Sequence, residues 1–318
     1  METTDKQHQL NKLTYHGITW TDVQNPDNEI VESLGRKYSL HPIHLQESVQ
    51  PVQHNQVERG KGYLFFVIHF PVYHASSDKI AFGQLGVFLG KDYIITVHDK
   101  EDASLNSFYH TSLDQEIGKT RFGRGAAYLL YLIIDKLLGE VSAVTYHVVN
   151  ELDGLEDAVF DDSGSDAQEI GKMRQKIVRL MRVIGPKRAI FEDLTEQVES
   201  FAGHDIAKYF SNSTKTVNKL WEVIGEAKET VEIYKDADFT ISTERTNQTL
   251  TILTLIFTFT IPVTVIGALY GTNVLLPGGL EAGPWTFLGP YTAFIVLVAL
   301  SALIAIGMYA YFKKKKWF

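Results

Sequence analysis

Two uncharged stretches dominate the last quarter of the chain. No charged residue occurs from Thr246 to Leu280 or from Ala282 to Phe312, and Glu281 alone separates them. A helix needs about 20 apolar residues to cross a hydrocarbon core. Gln248 to Tyr270 and Trp285 to Phe312 both meet this, which predicts membrane helices over 247–271 and 285–312. A buried helix of a soluble protein would keep a charged stripe, and these keep none. The connecting segment 272–284 contains Pro277, Gly278, Gly279, Gly283 and Pro284 and reads as a tight reversal. Arg245 flanks the first span, Lys313–Lys316 of the basic tail 313–318 flank the second, and the connection has no Lys or Arg. The positive-inside rule then places both termini in the cytosol and the connection outside. Trp285 and Trp317 fall where indoles prefer the interfaces. The start of the chain has no apolar stretch, so no cleaved signal peptide is expected.

Residues 1–150 read as a mixed α/β cytosolic domain. Strand-like runs rich in β-branched and aromatic residues are Tyr15–Trp20, Tyr63–Tyr73, Phe82–Leu89 and Tyr93–His98. Asn25-Pro26-Asp27 opens a helix that ends near Tyr38, and His41-Pro42 opens another with Pro in the first turn. After Gly123 the apolar positions Ala127, Leu130, Tyr131, Ile134, Leu137 and Leu138 recur at threes and fours, so the chain turns helical. Residues 151–246 read as a helical stalk, with breaks at Gly154 and over Asp161–Asp166. Gly185-Pro186 is the last strong stop, because no proline follows in the 75 residues from Lys187 to Ile261. One helix is therefore expected from about Lys187 through the first span to Tyr270, on the order of 120 Å long. A rod of that length cannot bury its faces alone and implies association with copies of itself.

Composition excludes several chemistries. The chain of 318 residues has no cysteine, which removes disulfide scaffolds, zinc ribbons and thiol catalysis. Up to Thr243 there are 25 basic and 36 acidic residues, so the large soluble part is acidic and no nucleic-acid partner is expected. Glu151, Asp153, Glu156, Asp157, Asp161, Asp162 and Asp166 form an acidic patch that reads either as a solvated helix face or as a cation-attracting surface. Walker A, GxGxxG, GxSxG and HExxH patterns are absent. Of the eleven histidines, His41 with His44 and His69 with His74 have spacings that could bind metal, but the structural reading is preferred for both pairs. No enzyme and no cofactor are expected.

The first span carries more information. Asn247, Thr251, Thr254 and Thr258 fall within an arc of about 60° at 100° per residue. Lipid offers such polar groups no partner, so the stripe faces either another helix or water. Two spans enclose no pore, so a water-facing stripe requires an oligomer. The span ends at Tyr270-Gly271-Thr272-Asn273. A ring of Asn amides around a symmetry axis could grip an ion through its water shell. That suits Mg²⁺, which dehydrates reluctantly, and lets the ion leave again, as conduction requires.

Ile261-Pro262-Val263-Thr264-Val265-Ile266-Gly267-Ala268-Leu269-Tyr270-Gly271-Thr272-Asn273 and Tyr311-Phe312-Lys313-Lys314-Lys315-Lys316-Trp317 resemble the two signatures of the CorA family of divalent-cation channels. The His41-Pro42 segment and the strands after it also fit, so the resemblance covers nearly the whole chain. It implies a funnel-shaped homopentamer in the cytoplasmic membrane: an α/β cytosolic domain, a stalk of long helices, first spans lining the pore and second spans outside. Gly271, Thr272 and Asn273 match the external selectivity filter. Asn247 matches a polar ring deeper in the pore, and Leu250 and Leu253 match an apolar constriction that gates by dewetting. Thr254 and Ile261 line the pore in the same comparison, Thr251 and Thr258 could face a neighbouring helix, and Asp236 matches an acidic ring at the cytosolic mouth. Lys313–Lys316 would form a basic collar near the inner mouth.

Two positions depart from the family pattern. Thr272 stands where the usual filter has Met. Of the paired carboxylates that sense cytosolic Mg²⁺, one matches Glu47, but the other matches Asn212, which carries no charge. Three functions remain open at this point: passive influx of hydrated Mg²⁺ (also Co²⁺ or Ni²⁺), a zinc-type transporter with or without proton coupling, and a non-conducting membrane-anchored scaffold or sensor.

Overall fold

The structure, a computed structural model, describes residues 9–50, 57–74, 79–98, 103–160, 167–272, 287–289 and 291–315. It divides into two compact units, Met1–Asp238 and Phe239–Phe318. The first unit is built on a six-stranded sheet. Its strands are β1 (Gln9–Tyr15), β2 (Ile18–Gln24), β3 (Val57–Arg59), β4 (Tyr63–His74), β5 (Lys79–Gly90) and β6 (Tyr93–His98), in the order β1-β2-β6-β5-β4-β3. Only the β2–β6 pairing is parallel.

The run Tyr63-Leu64-Phe65-Phe66-Val67-Ile68 has no polar alternation, which calls for cover on both sheet faces. The structure provides it. Leu64, Phe66 and Ile68 turn into one core with Trp20, Val87 and Ile94. Tyr63, Phe65 and Val67 turn into a second with Val23, Phe88 and Ile95. Helices α1 (Asn28–Tyr38) and α2 (Pro42–Val49) lie on the second face, where Leu34 and Leu45 reach the core. Asp27 caps α1 by accepting from Ile30 N at 2.7 Å, and His41 caps α2 ahead of Pro42. A Cβ on Gly86 would sit 2.8 Å from Ser48 Cβ, so glycine is what lets α2 lie flat on β5. The first face is covered by α3 (Ala103–Ser112), α4 (Gln115–Phe122), α5 (Ala126–Asp153), α6 (Glu156–Phe160), α7 (Ala167–Ala202) and the start of α8 (His204–Tyr270). Packing is continuous across residue 150: Leu130 and Ile133 of α5, Ile177 and Leu180 of α7, and Val217 and Leu220 of α8 belong to one core.

The structure corrects three expectations. The strand read as Tyr15–Trp20 is two strands joined at His16-Gly17. Both turn residues have positive φ (49° and 78°), the geometry of a tight hairpin. His-Gly carries this turn without the usual Asn-Gly signal. The helices α3 and α4 were not foreseen. They are short and polar, with Asp114 capping α4 through Glu116 N and Ile117 N.

The third correction concerns the long helix, expected to begin near Lys187. Pro186 sits inside α7, and the break falls at Gly203, where φ is +96°. The proline removes one ladder bond, at a cost of roughly 3 kcal/mol. Burial of Val183, Ile184, Ile190 and Phe191 on either side outweighs that cost. The left-handed backbone at Gly203 instead ends the ladder outright. The Asp161–Asp166 break, with Asp161, Asp162 and Asp166 of the acidic patch, lies outside the described residues.

In the second unit, α8 stays helical to Tyr270, with Leu250, Ile252, Leu253, Ile256, Phe257, Ile261 and Val263 all exposed. The second apolar helix, α9 (Thr292–Lys314), exposes Phe294, Val298, Leu303 and Ile306. Apolar surface on every side of a helix is stable only in lipid or against another helix. Trp285, Trp317, Lys316 and most of the connection lie outside the described residues.

A buried polar knot ties β2 to β6. Asp22, fully buried, accepts from Thr96 Oγ1 at 2.6 Å and contacts His98 Nε2 at 3.1 Å, while Trp20 Nε1 donates to Thr96 Oγ1 at 2.9 Å. Burial pushes the Asp22 carboxyl up, but the His98 hydrogen bond and charge, with Thr96 and Gln24, hold it below the usual carboxylate range. A depressed carboxylate contributes stability above its free-chain value near 4 and loses that contribution as pH falls through the folded value. Asp22→Asn should destabilise the protein by about 1–3 kcal/mol at neutral pH and flatten its acid limb. Melting of the full chain in detergent across pH 3–7 checks both effects; an unchanged acid limb would mean that Asp22 is not the group responsible.

Candidate functional site

Residues 247–270 of α8 carry the candidate ion-contacting positions. At 100° per residue Asn247, Leu250, Thr254 and Ile261 share an arc of about 60°, and Leu253 lies roughly 60° beyond its edge. All five side chains are exposed in the single chain. The threonines, however, do not need water. Thr251 Oγ1 donates to Asn247 O at 2.8 Å, Thr254 Oγ1 to Leu250 O at 2.7 Å and Thr258 Oγ1 to Thr254 O at 2.7 Å. Each hydroxyl proton is spent on the helix's own carbonyl four residues back, so such a threonine can face lipid or a neighbour. The threonine stripe alone therefore does not mark a wet face.

Asn247 differs. Its exposed carboxamide, like that of Gln248 beside it, makes no hydrogen bond among the described residues, and it lies two residues from Arg245 at the end of the span. An amide with two donors and an acceptor must meet water, an ion's hydration shell or another copy of the chain. At the far end of the helix, Gly271 N bonds to Gly267 O at 3.0 Å and Thr272 N to Leu269 O at 3.3 Å. Thr272 Oγ1 donates to Leu269 O at 2.6 Å. Thr272 thus closes the helix end with its hydroxyl, a role the Met of the usual pattern could not take. Asn273 lies outside the described residues.

In the first unit, Asp236 is exposed and lies 3.3 Å from Lys235 Nζ, which also reaches Glu232 at 2.9 Å. Arg174 of α7 donates to the same Glu232 at 2.6 Å. Hydrogen bonds from Arg174 and Lys235 hold the Glu232 carboxyl down to about 2. This clamp was missed from sequence, although the Glu232–Lys235 spacing is the helical i,i+3 pair. Pairing with Lys235 offsets part of the Asp236 charge.

Glu47 lies on α2 and Asn212 on α8, and no hydrogen bond or ion pair joins them within the chain. His41 and His44 serve structure. His44 is buried, with Nδ1 2.8 Å from Tyr63 Oη and Nε2 2.8 Å from Glu58 Oε2, and His41 caps α2. Among the described residues no group of three His, Asp or Glu is arranged to hold a metal. Lys313 packs over the Tyr309 ring at 6.0 Å, Lys314 ends α9 and Lys315 follows it.

Because their hydroxyls are internally satisfied, Thr251→Val and Thr258→Val should each change stability by no more than about 0.5 kcal/mol and leave self-association intact. Thermal melting and native mass measurement in detergent check this. Loss of assembly in either variant would place these hydroxyls in contact with another copy.

The family model described as CorA-like Mg²⁺ transporter protein matches residues 15–314. The cobalt/magnesium transport protein CorA of Thermotoga maritima is 24% identical over 324 residues, covering 99% of this chain and 88% of its own. That of Methanocaldococcus jannaschii is 21% identical over 305 residues, covering 94% and 91%. The solved structure of the complete CorA magnesium transporter from the same organism superposes with a TM-score of 0.78 at 19% identity, covering 97% of this chain and 95% of that one. The match runs through the α/β unit, the long helix and both apolar helices, and the chain belongs to the CorA-like Mg²⁺ transporter family, whose members are membrane transporters of divalent cations and not enzymes.

Proposed function

We propose that this chain assembles as a homopentamer in the cytoplasmic membrane, with both termini in the cytosol, and passes hydrated divalent cations inward, Mg²⁺ first and Co²⁺ or Ni²⁺ as well. The observation that carries the reading is the unpartnered Asn247 carboxamide at the end of an uncharged span, on one face with Leu250, Thr254 and Ile261. Repeated around an axis, these amides form a neutral, water-bonding ring, and Leu250 one turn further forms an apolar one. Gly271, Thr272 and Asn273 would form the external filter, with Thr254 and Ile261 between. Asp236, reduced in effect by Lys235, would sit at the cytosolic mouth. The relatives named for cobalt and magnesium transport support the choice of ions.

The driving force needs no nucleotide. An inside-negative potential supplies about 2.3 kcal/mol per charge per 100 mV, so about 4.6 kcal/mol for a divalent ion. An uncharged amide ring holds an ion through its water shell, weakly enough for release. Zinc would favour imidazole or thiolate ligands. The last histidine in the sequence is His204 and there is no cysteine, so neither span offers such a ligand. Regulation by cytosolic Mg²⁺ at Glu47 and Asn212 is weakened by the missing carboxylate.

Flux of Mg²⁺, Co²⁺, Ni²⁺ and Zn²⁺ into proteoliposomes under an inside-negative potential tests the reading. Wild type should pass Mg²⁺, and Asn273→Ala should change the rate or the ion ranking at least tenfold. Equal flux from the variant would remove Asn273 from the filter, and no flux from wild type would favour a scaffold. Asn212→Asp should lower the internal Mg²⁺ concentration needed for half-closure. An unchanged closure curve would show that this pair is not the sensor.

A further inference from the structure

Lys187 has no counter-ion among the described residues. Its side chain is 1% exposed, in the core between the sheet and α7. Nζ donates to the carbonyl of Val183 at 2.8 Å and lies 5.5 Å from the centre of the Phe70 ring. No carboxylate reaches it among the described residues. The groups around it offer no compensation. On β4, His69 is the titratable neighbour, itself pushed down by burial and then by the charge of Lys187. On β5, the group bonded to His69 is the neutral Gln84. On α7, Arg182, Arg188 and Glu192 are exposed. Helix α5 contributes the apolar Leu130 and Ile133 to this core, and α8 brings Trp221 against Gly185 and Asn218 against Arg188.

The position in the helix matters as much as the burial. Lys187 directly follows Pro186, whose missing N–H leaves the ladder of α7 one bond short. A Cβ on Gly185 would meet Trp221 Cζ3 at 3.0 Å, so this turn is pressed onto α8. An unbonded turn, a buried amine and a tight contact to α8 thus coincide within three residues.

We propose that Gly185-Pro186-Lys187 is a proton-operated joint, in which protonation of the Lys187 amine puts an uncompensated charge under the turn and loosens its packing on Trp221 of α8. A neutral amine gives one N–H to Val183 O, packs on Phe70 and carries no charge to solvate. An ammonium in the same place gains from reaching water, and the proline-weakened turn is where the helix can give way. Burial pushes the Lys187 amine down to about 7 from its ordinary value of 10.5. The sign follows from linkage. The closed turn favours the neutral amine, so opening becomes easier as pH falls from the free-lysine value toward about 7, and changes little below it. The window therefore includes cytosolic pH, and the joint sits on the helix bearing against α8, whose sequence continues into the first span.

Hydrogen exchange of the full chain in detergent or nanodiscs, expressed as protection factors for amides 183–190, tests the joint. In wild type the protection should fall on the order of tenfold per unit from pH 9 to 8 and level off below pH 7. Amides of β6 should show no such trend. In Lys187→Met, whose side chain has similar volume and no charge, the fall should vanish. A flat wild-type profile overturns the proposal by itself, whatever the variant does. So does a Lys187→Met profile that follows wild type. A step confined to pH below 6.5 that disappears in His69→Gln would assign the switch to His69 and also overturn it.

Discussion

A hydrocarbon interior offers no hydrogen bond, and this constraint organises the second unit. Each polar group on the spans must be satisfied within its helix, against another protein surface, or by water. The threonines take the first route through their own helix, and Thr272 does so at its end. Asn247 takes none of these inside one chain. Its amide is therefore left to water or to another copy of the chain.

The soluble unit obeys a different economy. The sheet is covered on both faces because its central strands have no polar alternation, and the polar groups it does bury are paired. Asp22 is stabilised as an anion by His98, Thr96 and Gln24, and His44 is bracketed by Tyr63 and Glu58. Two groups depart from this: the Lys187 amine meets a backbone carbonyl and no carboxylate among the described residues, and Ser213 Oγ has no partner there. A group that breaks the pairing rule seen elsewhere in the same core is where a titration can move structure.

Much of the fold was legible in the sequence, for identifiable reasons. The spans were plain because they lack charge, and Tyr93–His98 because β-branched residues fill it between turns. Asp27 and His41-Pro42 announced the starts of α1 and α2. Misreadings came where local rules compete with packing. Pro186 looked like a stop, but an apolar stripe on both sides carried the helix through it. Gly203 looked tolerable, yet its left-handed backbone is the actual break. His16-Gly17 hid a hairpin because the turn residue was not the usual one. For the site, the helical period grouped Asn247, Thr251, Thr254 and Thr258, whereas Leu250, Leu253 and Ile261 entered through the family resemblance. It could not show that the threonine hydroxyls were already engaged, because that depends on a rotamer choice invisible in a residue pattern. Glu47 and Asn212 were paired by the family resemblance alone, and neither hydrogen-bonds the other in the single chain.

The central claim is that the Asn247 face of the first span meets water in an assembled pore. The chain has no cysteine, so a single introduced thiol can be followed without background. Reaction of Asn247→Cys, Thr254→Cys and Ile256→Cys with a small water-borne thiol reagent in intact membranes is the most direct measurement. The account predicts fast labelling at 247 and 254 and slow labelling at 256, on the opposite side of the helix. Equal rates at all three positions, or fast labelling at 256 alone, would contradict it.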